Sequence, residues 1–160
     1  MLESKIGKLE EKVFDKILVD AFYWLLDTFG DRSNILNKPN YLKKQSPLKH
    51  ITFKHNLNLM WSYRPFDLPW HYYGQYAEYE SMSNSLLVHC SKKFTLGFAL
   101  DSLFHEFKHS QQSMPLYHYY KHSYENHPLE KEANDFAAEW VPVYCQNSLL
   151  IAEQVTSLTT

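Results

Sequence analysis

A chain of 160 residues with 16% aromatic side chains and only 4 glycines is long enough to bury a core, and its composition fits neither a disordered nor a fibrous protein. Sixteen basic residues stand against 18 acidic ones, for a formal net charge of -2, which leaves no electrostatic footprint for nucleic acid or for an anionic membrane surface. One domain over residues 1–160 is expected.

The first residues, MLESKIGKLEEK, are charged and lack the apolar stretch and small-residue cleavage site of a signal peptide. The apolar run from Ile17 to Leu26 is interrupted by Asp20 and has about half the length a membrane span needs. Cys90 and Cys145 lie far apart and form no C-x-x-C pair. A cytoplasmic protein with buried free thiols is the expectation.

Leu2, Ile6, Leu9, Val13 and Ile17 recur at helical spacing, and the pattern runs to Phe29, where Gly30 stops it as a C′ residue does. This predicts an N-terminal helix within residues 1–30. Asp31 to Leu48, with Pro39, Pro47 and many Asn and Lys, reads as a loop. Ile51, Phe53 and His55 alternate with Thr52 and Lys54, as in a strand of about six residues. From Trp61 to Tyr79 the aromatics are dense, but Pro65 and Pro69 interrupt any long element. A second strand is expected near Tyr76 to Tyr79 and a third at Ser85 to Cys90. Residues 50–91 should therefore form a short, mainly antiparallel sheet of about three strands, and the class is α+β.

From Thr95 the period becomes helical: Leu96, Leu100, Leu103 and Phe107 share a stripe that should run to about Gln112 and end before Pro115. Residues 117–127, YHYYKHSYENH, read as a connection without a clear period. Another helix begins near Pro128, a residue suited to the first turn, and should weaken at Pro142. A short helix around Ser148 to Val155 follows.

The first of these two helices carries His105-Glu106-Phe107-Lys108-His109, an H-E-x-x-H sequence. Four residues make just over one turn, so both imidazoles leave one face and can close on one ion. Glu106 leaves about 100° round the axis, where it can hold a water rather than ligate. This is the chemistry of zinc hydrolysis, in which a metal-activated water loses its proton to the carboxylate and attacks a carbonyl. Such a site needs a third protein ligand. Gln112 and Pro115 stand where a metzincin has Gly and a further His, so the third ligand must come from elsewhere.

The helix LEKEANDFAAEW offers Glu130, Glu132 and Glu139. At about 100° per residue, Glu132, Asp135 and Glu139 cluster on one polar stripe that water should cover. Glu130 lies opposite, with Ala133, Asn134, Ala137 and Val141, where two alanines admit a neighbouring helix. An unpaired carboxylate is costly there and a ligating one is not. Glu130 is thus the expected third ligand, and Asn134, one turn on, is placed to accept the outward N–H of a ligand imidazole.

H-E-x-x-H followed some twenty residues later by E-x-x-A-N/D-x-F-A resembles the gluzincin metallopeptidases. The segment Glu130-Lys131-Glu132-Ala133-Asn134-Asp135-Phe136-Ala137-Ala138-Glu139 looks most like the ImmA/IrrE-type peptidases, with Pro142 near where that family often has a proline. Phe107-Lys108 stands where it often has Leu-Gly. The resemblance covers residues 95–142. It implies a minimal zincin fold, with a short sheet edge over two zinc-bearing helices, a Zn2+ cofactor and hydrolysis of peptide bonds in a protein or peptide substrate.

Peptide hydrolysis also needs a donor for the oxyanion. Tyr117, His118, Tyr119, Tyr120, His122 and Tyr124 all lie between the ligand helices, and the sequence does not choose among them. His118 and His122 are four apart but enclose no carboxylate, so a second metal site there lacks ligands. Trp61 to Tyr76 is readable as a substrate groove or as packing. The strand Ser85 to Cys90, ahead of the active-site helix, offers an edge to which an extended substrate can add. The other readings are a zincin-like regulatory or binding protein with a structural zinc, and a DNA-associated SprT-like protease. The acidic balance and the lack of a Cys-rich module disfavour the latter.

Overall fold

In a computed structural model the N-terminal stripe from Val13 onward lies in helix α1, Glu11–Phe29, which buries Ile17, Leu18, Ala21, Phe22, Leu25 and Leu26, while Leu2, Ile6 and Leu9 lie outside the described residues. The residues described are 11–30, 48–51, 57–63, 77–82, 84–90, 96–120 and 126–153. Gly30 terminates α1 as expected: its φ is +80°, a left-handed conformation that glycine adopts without a Cβ penalty, and its N–H reaches the Leu26 carbonyl at 2.8 Å.

Among the described residues four strands follow: β1, Leu48–Ile51; β2, Asn58–Tyr63; β3, Ala77–Glu80; and β4, Ser85–Cys90. They form one mixed sheet in the order β1-β2-β4-β3, antiparallel at both ends and parallel between β2 and β4. Two corrections to the sequence reading follow. Strand β2 is not among the expected strands: the sequence predicts none between His55 and Tyr76. Its Leu59 and Met60 are both fully buried, so a strand covered on both faces lacks the polar-apolar alternation that reveals a half-exposed one. Of the first expected strand, Ile51 lies in β1, and Thr52, Phe53, Lys54 and His55 lie outside the described residues. Most consequential for function, β4 is a central strand and cannot accept a further one. The edge on that side is β3.

Strands β3 and β4 form a hairpin. At its turn Asn84 holds φ +49°, a conformation Asn tolerates better than most residues, and the Tyr79 hydroxyl donates to Asn84 Oδ1 at 2.8 Å.

Helix α2, Leu96–Ser110, buries Leu96, Ala99, Leu100, Leu103, Phe104 and Phe107 on the stripe read from sequence. A short helix α3, Met114–Tyr119, occupies part of the stretch read as aperiodic. Its Ser113 N-cap accepts the Leu116 N–H at 3.3 Å, and Pro115 sits in the first turn. Helix α4, Pro128–Asn147, does not weaken at Pro142 but continues for another turn and a half, and a final helical turn covers 149–153.

The helices meet on an aromatic core. Trp24 of α1 stacks on Phe104 of α2 at 5.9 Å and meets Tyr144 of α4 edge-on at 5.6 Å, while Phe29 packs edge-on against Phe136 and Trp140 at 5.0 and 5.1 Å. Ala133 and Ala137 are buried, as expected for a face that lets α2 and α4 approach closely. Cys145 is a free, half-buried thiol whose pKa is pushed up by burial. No described helix is long and apolar enough to cross a membrane.

Candidate metal centre

Helix α2 presents His105 and His109 one turn apart, and their Nε2 atoms stand 3.0 Å from each other. Glu130, in the first turn of α4 and only 5% exposed, spans the pair: Oε1 is 2.9 Å from His105 Nε2 and Oε2 is 3.1 Å from His109 Nε2. Glu106 stands further back, with Oε1 at 4.0 Å from His105 Nε2. His105, Glu106 and His109 have potential ligand atoms within 4.8 Å of one another, but Glu130 is the carboxylate in contact with both rings. The geometry separates the two acids, one at the imidazoles and one beside them.

The triangle matches a known dimension. Ligand atoms at about 2.0–2.1 Å from a tetrahedral zinc lie roughly 3.3 Å apart, close to the 2.9, 3.0 and 3.1 Å found here. Donor counting gives the same answer. His109 Nδ1 lies 2.6 Å from Gln112 Oε1, an acceptor, so in the neutral ring the proton is on Nδ1 and Nε2 carries the lone pair. That lone pair faces a carboxylate oxygen at 3.1 Å. Two acceptors at this distance repel unless a proton or a metal cation lies between them, so the donor set fits a cation such as Zn2+.

The protonation tendencies express the same demand. Burial alone lowers the pKa of His109, but hydrogen bonds from its ring to Glu130 and Gln112 and the charges of Glu106 and Glu130 reverse this and hold it above the ordinary imidazole value. Burial likewise opposes ionisation of Glu130, yet its hydrogen bonds from His105, His109 and Tyr117 keep it well below the usual carboxylate range. Glu106 goes the other way. Burial, with a smaller contribution from Glu130, outweighs the two histidines and a hydrogen bond from the Tyr79 backbone, and its pKa is raised. One carboxylate is held charged and the other is made more basic.

The stripe Glu132, Asp135 and Glu139 is exposed, as expected. Asn134 is exposed as well, and Gln112, not Asn134, meets the outer nitrogen of His109. The reason is angular: the buried stripe of α4 is centred on Ala133, Phe136, Ala137 and Tyr144, with Glu130 on its margin and Asn134 about 40° further round. Among the aromatic and histidine candidates, Tyr117 reaches the site. Its hydroxyl donates to Glu130 Oε2, and its ring stands edge-on to His109 at 5.2 Å. His118 and Tyr119 are exposed, and Tyr120 packs near His127 at 5.6 Å. His122 and Tyr124, and most of the aromatic stretch from Trp61 to Tyr76, lie outside the described residues.

Two site residues were not read from the sequence. Gln112 lies past the end of α2, where helical arithmetic stops. His127 caps α4: its Nδ1 accepts the Leu129 N–H at 3.2 Å, and its Nε2–H donates to the Tyr117 carbonyl at 2.9 Å. A cavity of about 530 Å3 borders Gln112, Lys108 and Leu129, and none of His105, His109 and Glu130 lines it.

Comparison of the chain with protein-family models, curated proteins and solved structures finds no match.

Proposed function

We propose that this chain is a zinc-dependent metallopeptidase of the gluzincin kind, with His105, His109 and Glu130 as ligands and Glu106 as general base. The observation that carries the reading is the contact of one carboxylate, Glu130, with both imidazoles of an H-E-x-x-H helix, while the motif's own glutamate stands 4.0 Å away with a raised pKa. Zinc at such a site supplies Lewis-acid polarisation of a carbonyl and acidifies water. Glu106, beside the imidazoles and not in contact with them, would take a proton from the attacking water and return it to the leaving amine. Tyr117 is the oxyanion donor best placed among the residues considered: its single O–H proton goes to Glu130 Oε2 and would have to turn from that carboxylate to the substrate oxygen.

The substrate is an extended stretch of protein or peptide. The Tyr79 backbone bonds to Glu106, which sets the edge strand β3 beside the general base, and an extended chain can add to that edge.

Purified protein handled without chelator should hold close to one zinc per chain, and Glu106→Gln should keep the metal while losing hydrolysis of a peptide library. Absence of zinc, or a Glu106→Gln variant as active as the parent, would sink the proposal. Zinc retention with no cleavage by the wild type would favour a regulatory protein with a structural zinc.

A further inference from the structure

We infer that Gln112 is the positioning residue of the metal site: it fixes His109 in the tautomer that offers Nε2, and it ties the end of α2 to the turn of α4 that carries Glu130. The inference rests on the metal-site reading above.

The orientation of the Gln112 amide follows from its partners. Nε2 donates to the Leu129 carbonyl and to Glu132 Oε1, both at 3.0 Å, so both amide hydrogens face acceptors. A flipped amide would set its oxygen against those two acceptors and its N–H against the ring nitrogen. Oε1 must therefore face His109 Nδ1, at 2.6 Å, and the only partner it admits there is an N–H. The backbone reinforces the arrangement. Gln112 N–H closes on the His109 carbonyl at 3.1 Å, so main chain and side chain return to the same residue.

The second half of the amide acts across helices. Leu129 adjoins Glu130, so the bond to its carbonyl links a ligand on α2 to the neighbour of a ligand on α4. Glu132 also lies 3.9 Å from Lys108 Nζ, which extends the chain of contacts back to α2. One side chain thus sets the tautomer of His109 and the approach of Glu130. The cavity of about 530 Å3 borders Gln112, so shortening this side chain adds to existing open space and leaves no sealed void.

Two variants separate the roles. Gln112→Leu removes acceptor and donors; Gln112→Glu keeps an acceptor for His109 Nδ1–H and loses the donors to Leu129 and Glu132. Zinc affinity is measured by competition with a chromogenic chelator. The His109 ring nitrogens are observed by NMR in metal-free protein, above the pH range where the ring titrates. Gln112→Leu should weaken zinc roughly 10- to 100-fold, the usual effect of removing an outer partner of a ligand histidine, and should lose the Nδ1–H form. Gln112→Glu should keep that form and fall between Leu and wild type in affinity. Equal zinc affinity in wild type and Gln112→Leu, or an unchanged His109 spectrum in Gln112→Leu, overturns the inference. A wild-type chain that binds no zinc overturns the metal reading instead, and the ring spectrum then still decides whether Gln112 sets the tautomer.

Discussion

The Tyr117 hydroxyl donates to Glu130 Oε2, the same carboxylate oxygen that stands 3.1 Å from His109 Nε2. This contact ties one residue of the connection between α2 and α4 to the triangle of His105, His109 and Glu130, and on the proposed function it makes Tyr117 the oxyanion donor to test. Tyr117→Phe should lower kcat roughly 100-fold, the usual loss on removing one oxyanion donor, with KM changed little. Zinc affinity should fall by less than about 10-fold, below the full cost of losing an outer partner. His118→Ala, at an exposed position on the same helix, should leave kcat within a factor of about two. Steady-state kinetics on zinc-loaded protein decides between them, and equal losses in the two variants would remove Tyr117 from the mechanism.

Stability should depend on pH with opposite signs at the two ligands whose pKa values move. His109 is raised, so its contribution is complete below the ordinary imidazole value of 6.5 and fades as pH rises through the raised one. Glu130 is depressed, so its contribution is present above the ordinary carboxylate value of 4.5 and fades as pH falls through the lowered one. Metal-free protein should therefore be most resistant to urea between about pH 5 and 6.5 and weaken toward pH 8. Zinc requires the neutral imidazole, so the loaded protein should keep gaining up to neutral pH. Urea midpoints with and without zinc check the crossing. A metal-free midpoint that climbs steadily to pH 8 contradicts it.

The legible part of the site is the part governed by helical period. His105 and His109 share a face by spacing alone, and Glu130 separates from Glu132 and Glu139 because only one side of α4 can be buried. The same arithmetic misplaced Asn134 by one step round the helix, since the margin of a buried stripe depends on where the neighbouring helix ends. Gln112 and His127 act from turns at the helix ends, where position depends on capping. The cue for α3 was present in Ser113 and Pro115 and is the kind of signal read correctly at Pro128. The strand order was beyond reach: β4 pairs in parallel with β2, a long-range choice that no local pattern records, and this pairing makes β3 the edge.

His127 is an unusual N-cap, and its replacement tests how far Glu130 depends on the first turn of α4. His127→Ala should cost about 0.5–2 kcal/mol, the usual range for a lost cap. His127→Asn restores an acceptor for the Leu129 N–H and should recover most of it. Because Glu130 lies three residues on, zinc affinity should follow the same order. Denaturant midpoints and zinc competition on both variants read the two effects, and indistinguishable Ala and Asn variants would mean that the cap contributes nothing.

Helix α4 passes through Pro142, a residue that costs about 3 kcal/mol or more inside a helix, and the turn beyond it must be held by something else. Tyr144 is that anchor: its ring is 1% exposed and packs against Trp24 and Phe104, while its hydroxyl donates to Asp20 Oδ2 at 2.7 Å. The ring outweighs the hydroxyl, because Asp20 is exposed and water can replace the lost donor. Tyr144→Phe should therefore cost only about 1 kcal/mol. Tyr144→Ala, which empties the space between two aromatic rings, should cost about 3–5 kcal/mol, comparable to the proline penalty it offsets. Hydrogen exchange gives the local readout: amides from Val143 to Asn147 should exchange much faster in the alanine variant and almost as in the parent in the phenylalanine one. Equal acceleration in both variants would assign the anchoring to the Asp20 bond instead of the ring.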